Sequence, residues 1–217
     1  MCNITLIFTK HKEHGICNSN ELYNIFVQIR PEVIFEEIPP SRHDAYYKEH
    51  GVSILETNAV KKYKQEYNIK NIPVDKNYDI NEIKEQYDNS SHLDDIIFGN
   101  SVEYCNLWEK NLEMTYLYGF EYFNCIKYTE LSEKLHQIER NIIRNLNVLE
   151  LLNKYKMWIN NINERENEMI QNIYNYSKEN NFKNAIFTIG AEHKISIIKK
   201  LTNIKEEKNI NWIYDIF

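Results

Sequence analysis

The sequence predicts an α/β fold, a small and mostly parallel sheet flanked by helices with a large helical insertion or cap. Short apolar runs at residues 4–9, 33–38, 69–74 and 185–189 have the length and β-branched content of strands. Helix-like sequence lies between or after them, the alternation that builds a parallel sheet. The stretch 79–182 has helical texture throughout and is too long to serve as a single crossover of a four- or five-stranded sheet. At 217 residues the chain suits one α/β domain, residues 1–217, within which 79–182 form a mainly helical insertion or cap subdomain.

Taken in order, the first run is a strand. Its apolar stretch is short and has no positive region before it, so it fits neither a secretory signal nor a transmembrane span. Asn18, with Glu21 three residues on, has capping-box spacing, and Leu22, Ile25, Phe26 and Ile29 give a helical stripe that Pro31 closes. The second strand, VIFEEI, follows. After Pro39 and Pro40 the stretch 41–67 reads as one or two helices leading to the third strand. Within 79–182, Leu131, Leu135, Ile138, Ile142, Leu146 and Leu149 fall at heptad-like spacing. The chain closes with the strand at 185–189, a helix at 195–201 and an apolar run at 210–217 that reads as an edge strand.

A net charge of −6 and a pI near 5.7, with no basic tract, argue against binding a phosphate backbone, so nucleic acid is not an expected partner. Four cysteines without a CxxC pair are expected as reduced thiols in a cytoplasmic protein without a membrane segment.

An open parallel sheet gathers the residues at its strand carboxyl ends into one crevice, where such folds bind ligands. His11, Glu37, Asp75 and His193 all stand at such ends. His193 lies in GAEH, where Gly190 permits a tight strand-to-helix turn. His11 holds the equivalent place after the first strand, followed by Glu13 and by His14, which reads either as a third ligand or as a solvated loop histidine. Two imidazoles at strand exits suit a divalent-metal site or a base with its partner. Glu36 and Glu37 point to opposite faces by strand alternation. A carboxylate ending an apolar strand needs a partner, and Arg42 is the candidate. Asp75 has Lys76 beside it. Arg165, on a helix whose stripe runs Ile162, Met169, Ile173, sits at the edge of the buried face, where it either meets a carboxylate or anionic ligand or snorkels to the surface.

In this order FTKH, EEIPPSR, PVDK, ERENEM and IGAEH resemble the motif series of the TraB/Tiki/erythromycin-esterase/ChaN-like superfamily. That series has a GTxH-type motif, an ExxxxR pattern, an Asp-Arg pair, a helical ERNxxM pattern and a closing GxxH. Thr9 and His11, Glu37 and Arg42, Asp75, then Glu164, Arg165 and Met169, and finally Gly190 and His193 occupy the matching positions. Phe8, Lys76 and Glu166 depart from it, replacing a Gly, an Arg and an Asn. The resemblance implies a hydrolase-like site. Tiki-type members resemble metal-dependent peptidases, erythromycin esterases use a His-activated water without metal, and ChaN-like members bind haem iron.

The expectation is therefore a hydrolase cleaving a peptide or ester bond in a peptide or small-molecule substrate. His11, His193 and Glu37 would bind a divalent metal, zinc or manganese, or activate water directly, with Glu37 or His11 as general base. Arg42 and Arg165 would hold an anionic substrate or transition state, with Asp75 completing the site. The alternative is a non-catalytic ligand- or haem-binding protein using the same crevice. A third reading makes the helical segment an interaction module, with Tyr116, Tyr118, Phe120, Tyr122 and Phe123 as pocket, contact or core residues.

Overall fold

The computed structural model describes residues 2–48, 50–204 and 210–214. Five strands, β1 (Cys2–Thr9), β2 (Val33–Glu36), β3 (Lys70–Pro73), β4 (Asn184–Gly190) and β5 (Ile210–Ile213), form one sheet in the order β3-β2-β4-β1-β5, every pairing parallel. Central β1 and β4 are apolar on both faces because helices cover both. Ile4, Leu6, Ile7, Phe8, Ile186, Phe187 and Ile189 have no exposed surface. Each such side chain contributes roughly 1.5–3 kcal/mol by leaving water. The last run forms an edge strand as expected over Ile210–Ile213, and its final residues lie outside the described ones.

Helix α1 (Ser19–Ile29) starts where Asn18 Oδ1 accepts the backbone N–H groups of Asn20 and Glu21 at 3.0 and 3.1 Å. It ends at Arg30, whose left-handed backbone (φ 52°) turns the chain before Pro31. Beyond β2 come a 3-10 turn (Pro40–Arg42), α2 (His43–Tyr47) and α3 (Leu55–Glu66), so the predicted "one or two helices" are two. Helix α3 packs against α1, with Tyr63 edge-on to Phe26.

Between β3 and β4 run α4 (Ile80–Asn100), α5 (Val102–Asn124), α6 (Ile126–Leu146) and α7 (Leu149–Glu179). Ile97, Tyr104 and Leu135 bury themselves among Leu107, Trp108, Leu131, Ile138 and Ile142, a small core of the cap, separate from the sheet core. The heptad-like stripe does not continue through one helix. Asn147 in the left-handed region (φ 49°) ends α6, leaving Leu149 72% exposed at the start of α7. Of the aromatic run at the end of α5, Phe120, Tyr122 and Phe123 are core while Tyr116 and Tyr118 stay exposed.

Past β4, a 3-10 turn (Ala191–His193) leads into α8 (Lys194–Asn203). The buried Lys194 ammonium donates to the carbonyls of Phe123 and Cys125 at 3.0 and 2.8 Å, where the α5 carboxyl end presents its unpaired acceptors. That contact ties the cap to the strand exit carrying His193. All four cysteines are free thiols, and no helix among the described residues is long and apolar enough to cross a membrane.

Candidate functional site

Strand register decides which side chains meet. The connections leaving β1 and β4 run to opposite sides of the sheet, since β1 leads toward β2 and β4 toward β5, so the crevice opens above these two central strands. Thr9 pairs with Gly190 and Glu36 with Thr188, placing the ends of β1, β2 and β4 almost level. The next residues along the chain, Glu37, His11 and His193, therefore converge. A Cβ built on Gly190 would lie 3.3 Å from Glu37 Oε2, 3.8 Å from His193 Cδ2 and 3.9 Å from His11 Nε2. With φ −55° Gly190 needs no left-handed freedom, so its bare backbone serves close approach instead, its N–H donating to Glu37 Oε2 at 2.7 Å.

Glu37 is the hub. Its Oε1 accepts from Arg165 Nη2 and lies 3.2 Å from His193 Nε2. Arg165 also holds Asp75 through two bonds, Nε to Oδ1 at 3.1 Å and Nη2 to Oδ2 at 2.8 Å, while Nη1 takes no part in these contacts. His193 Nδ1 meets Glu166 Oε1 at 2.7 Å. The Ser196 hydroxyl donates to the same oxygen, and Lys200 Nζ lies 3.0 Å from Oε2. Three carboxylates thus face three cations, all but Arg165 and Lys200 buried. Buried charges are tolerable on those terms.

The electrostatics follow. Burial opposes the charge on His193, but the Glu37 charge and the hydrogen bond to Glu166 outweigh it and raise the imidazole to about 10. Burial likewise disfavours ionised Glu37, yet the charges of His193 and Arg165 hold it well below the usual carboxylate range. His11 has a separate partner on α3. Its Nδ1 lies 3.3 Å from Glu56 Oε1, which also accepts from the Thr9 hydroxyl, and that contact raises His11 to about 9. The His11 side chain remains 54% exposed, so solvent moderates the pairing.

Glu37 faces the site and Glu36 the opposite side, where it is buried against Tyr47 and Asn71 and desolvation lifts it to about 7. Arg42 does not partner either glutamate. It sits in the 3-10 turn with its guanidinium 6.0 Å from the Tyr46 ring, and Arg165 takes the place expected for it. Lys76 pairs with Glu164 rather than Asp75. His14 packs edge-on against Tyr116, away from the site.

Two carboxylates that position the imidazoles, Glu56 and Glu166, carry no motif. Glu166 precedes Met169, Ile170 and Ile173 by three, four and seven residues, so helical periodicity placed it on the buried face, the one signal that could have found it.

Above this floor lies a cavity of about 500 Å³, roofed by α4 to α7. His11, Glu37, Arg165 and His193 open onto it. Both Glu37 oxygens and both His193 nitrogens are already engaged, and among the described residues no three His, Cys, Asp or Glu side chains meet in a metal-holding group. No protein-family model, curated protein or solved structure matches the chain.

Two outcomes follow from this geometry. NMR titration of the His11 imidazole should give a midpoint near 9 that moves toward 6.5 in Glu56→Gln, and an unmoved midpoint would refute the pairing. His193, raised above its unfolded value, contributes stability that is fully present below about pH 6.5 and lost as pH rises through about 10. The stability difference between the native chain and His193→Gln, followed by denaturant unfolding, should therefore shrink from pH 6 to pH 10. A constant difference would contradict the assigned charge.

Proposed function

We propose that the protein is a hydrolase that cleaves an ester or peptide bond by direct activation of water. The observation carrying this reading is the convergence of His11, Glu37 and His193 on Gly190, with Arg165 bound to Glu37, at the floor of a cavity large enough for a small molecule or a short peptide segment. The motif resemblance to the TraB/Tiki/erythromycin-esterase/ChaN-like group adds support, because the matched positions include all four.

The roles differ with environment. His11 is the proton carrier, being open to the cavity and backed at Nδ1 by Glu56, the arrangement that fixes an imidazole's orientation and stabilises its cation. Its Nε2 takes a proton from water as the water oxygen bonds to the substrate carbonyl carbon, then returns that proton to the leaving oxygen or nitrogen. Raised by Glu56, His11 is mostly protonated at pH 7, so the neutral form and with it the rate rise with pH toward about 9. His193, clamped between Glu37 and Glu166, is a fixed positive charge rather than a base. With Arg165 Nη1 it faces the negative charge that develops on the carbonyl oxygen. Glu37 positions both cations, and Asp75 orients Arg165.

His193 is too deeply buried for its removal to leave the melting temperature unchanged, since Glu37 and Glu166 would lose a partner each. Exposed His11 gives the cleaner test. On a panel of p-nitrophenyl esters, a lactone and peptide amides, His11→Ala should lower kcat about 10²- to 10⁴-fold in a chain still folded at the assay temperature, its melting temperature lowered because buried Glu56 loses its cation, and dialysis against a chelator should leave the native rate unchanged. A rate abolished by chelation and restored by zinc or manganese would replace this mechanism with a metal-dependent one.

A second reading, a non-catalytic ligand- or haem-binding protein, draws on the same cavity. What favours it is the cationic floor, where Arg165 and the two mostly protonated imidazoles suit an anionic ligand group, such as a carboxylate, rather than ligation of haem iron, which needs a neutral imidazole. Saturable binding without turnover, or a Soret band on haem titration, would establish it. Four free thiols fit a cytoplasmic setting for either reading.

A further inference from the structure

The upper part of the cavity has a chemistry that the hydrolytic floor does not use. Asp94 from α4, Glu139 from α6 and Glu192 from the turn after β4 all line it, together with Trp108, Tyr155 and Trp158. Three acids, of which Glu139 is buried and Asp94 and Glu192 are exposed, share this solvent-open cavity with three electron-rich rings; of the cations that also line it, Arg165 and His193 are matched by Glu37, Asp75 and Glu166 and His11 by Glu56, and Lys10 lines it as well.

Glu139 supplies the independent sign. Its residue surface is only 7% exposed, Oε1 accepts from the Tyr104 hydroxyl at 2.9 Å, and buried Oε2 has no hydrogen-bond partner among the described residues. An acceptor stranded in this way is left with its desolvation uncompensated, and a ligand donor or cation entering the cavity would supply the missing partner. Arg140, on Glu139's own helix, is exposed and outside the cavity lining, and His136 of the same helix lines the cavity. Burial and the charges of Glu192, Glu139 and Asp95 lift Asp94 to about 6, as expected where acids crowd without compensation.

We propose that the upper cavity is a subsite for an organic cation, a protonated or quaternary amine carried on an apolar body. The acids supply the attraction, and the indole and phenol faces supply cation–π contact and apolar cover that inorganic cations do not exploit. The subsite goes beyond the hydrolytic reading and does not depend on it, because binding needs neither imidazole.

Trp108 and Trp158 line the cavity and report on its occupancy by fluorescence, with calorimetry as a second measure. The probes are benzyltrimethylammonium, its neutral isostere neopentylbenzene, and the anion benzenesulfonate, titrated into the full chain. The ammonium should bind at least about tenfold tighter than either other probe. That preference should fall about tenfold in Asp94→Asn/Glu192→Gln and fall also in Glu139→Gln, with melting temperatures near native. Equal binding of the three probes, no binding of the ammonium, or undiminished preference in the folded variants would overturn the proposal. Cation-selective binding by a chain that hydrolyses none of the esters or amides above would support this subsite and remove the hydrolytic reading alone.

Discussion

A carboxylate that ends a buried strand must find compensation, and in this protein the compensation of Glu37 organises everything around it. Arg165 reaches it from α7, His193 from the exit of β4 and the Gly190 N–H from the strand beside it. Each partner is then held by a carboxylate of its own, Asp75 for Arg165 and Glu166 for His193. The long helix α7, the three strand ends and α8 are thereby fixed to one point. Removing a single member leaves an unpaired buried charge rather than a mere gap.

The two imidazoles take different parts because their surroundings differ. His193 is buried between two acids and stays cationic well above neutrality, whereas His11 faces the cavity with one acid behind it. The first behaves as a fixed charge and the second as an exchangeable proton site. Above them the cap contributes a chemically distinct surface, acidic and aromatic, and the buried Lys194 joins that cap to the turn bearing His193. Floor and roof are thus one structural unit with two electrostatic characters.

Much of this was legible in the residues. Short continuous apolar runs marked the four principal strands to within a few residues, and parallel topology then required His11, Glu37, Asp75 and His193 to share one rim. Pairing choices were not legible. Arg42, near in sequence, looked like the partner of a strand-end glutamate, but tertiary packing of α7 delivered Arg165 from far along the chain. Alternation could say that Glu36 and Glu37 diverge without saying which one faces the cavity. Glu166 read as a departure from a motif, though its spacing to Met169 and Ile173 marked a buried acid in need of a cation. Glu56 is bound to His11 by a contact between α3 and the loop after β1 that no local pattern records.

The most direct test of the central claim is a double-mutant cycle between Glu37→Gln and Arg165→Met, read by denaturant unfolding. If Glu37 is the hub, each single variant costs about 3–5 kcal/mol, and the double variant costs at least about 2 kcal/mol less than the sum. Strict additivity of two small effects would mean that the pair is incidental, and the organisation of the site would have to rest on something else.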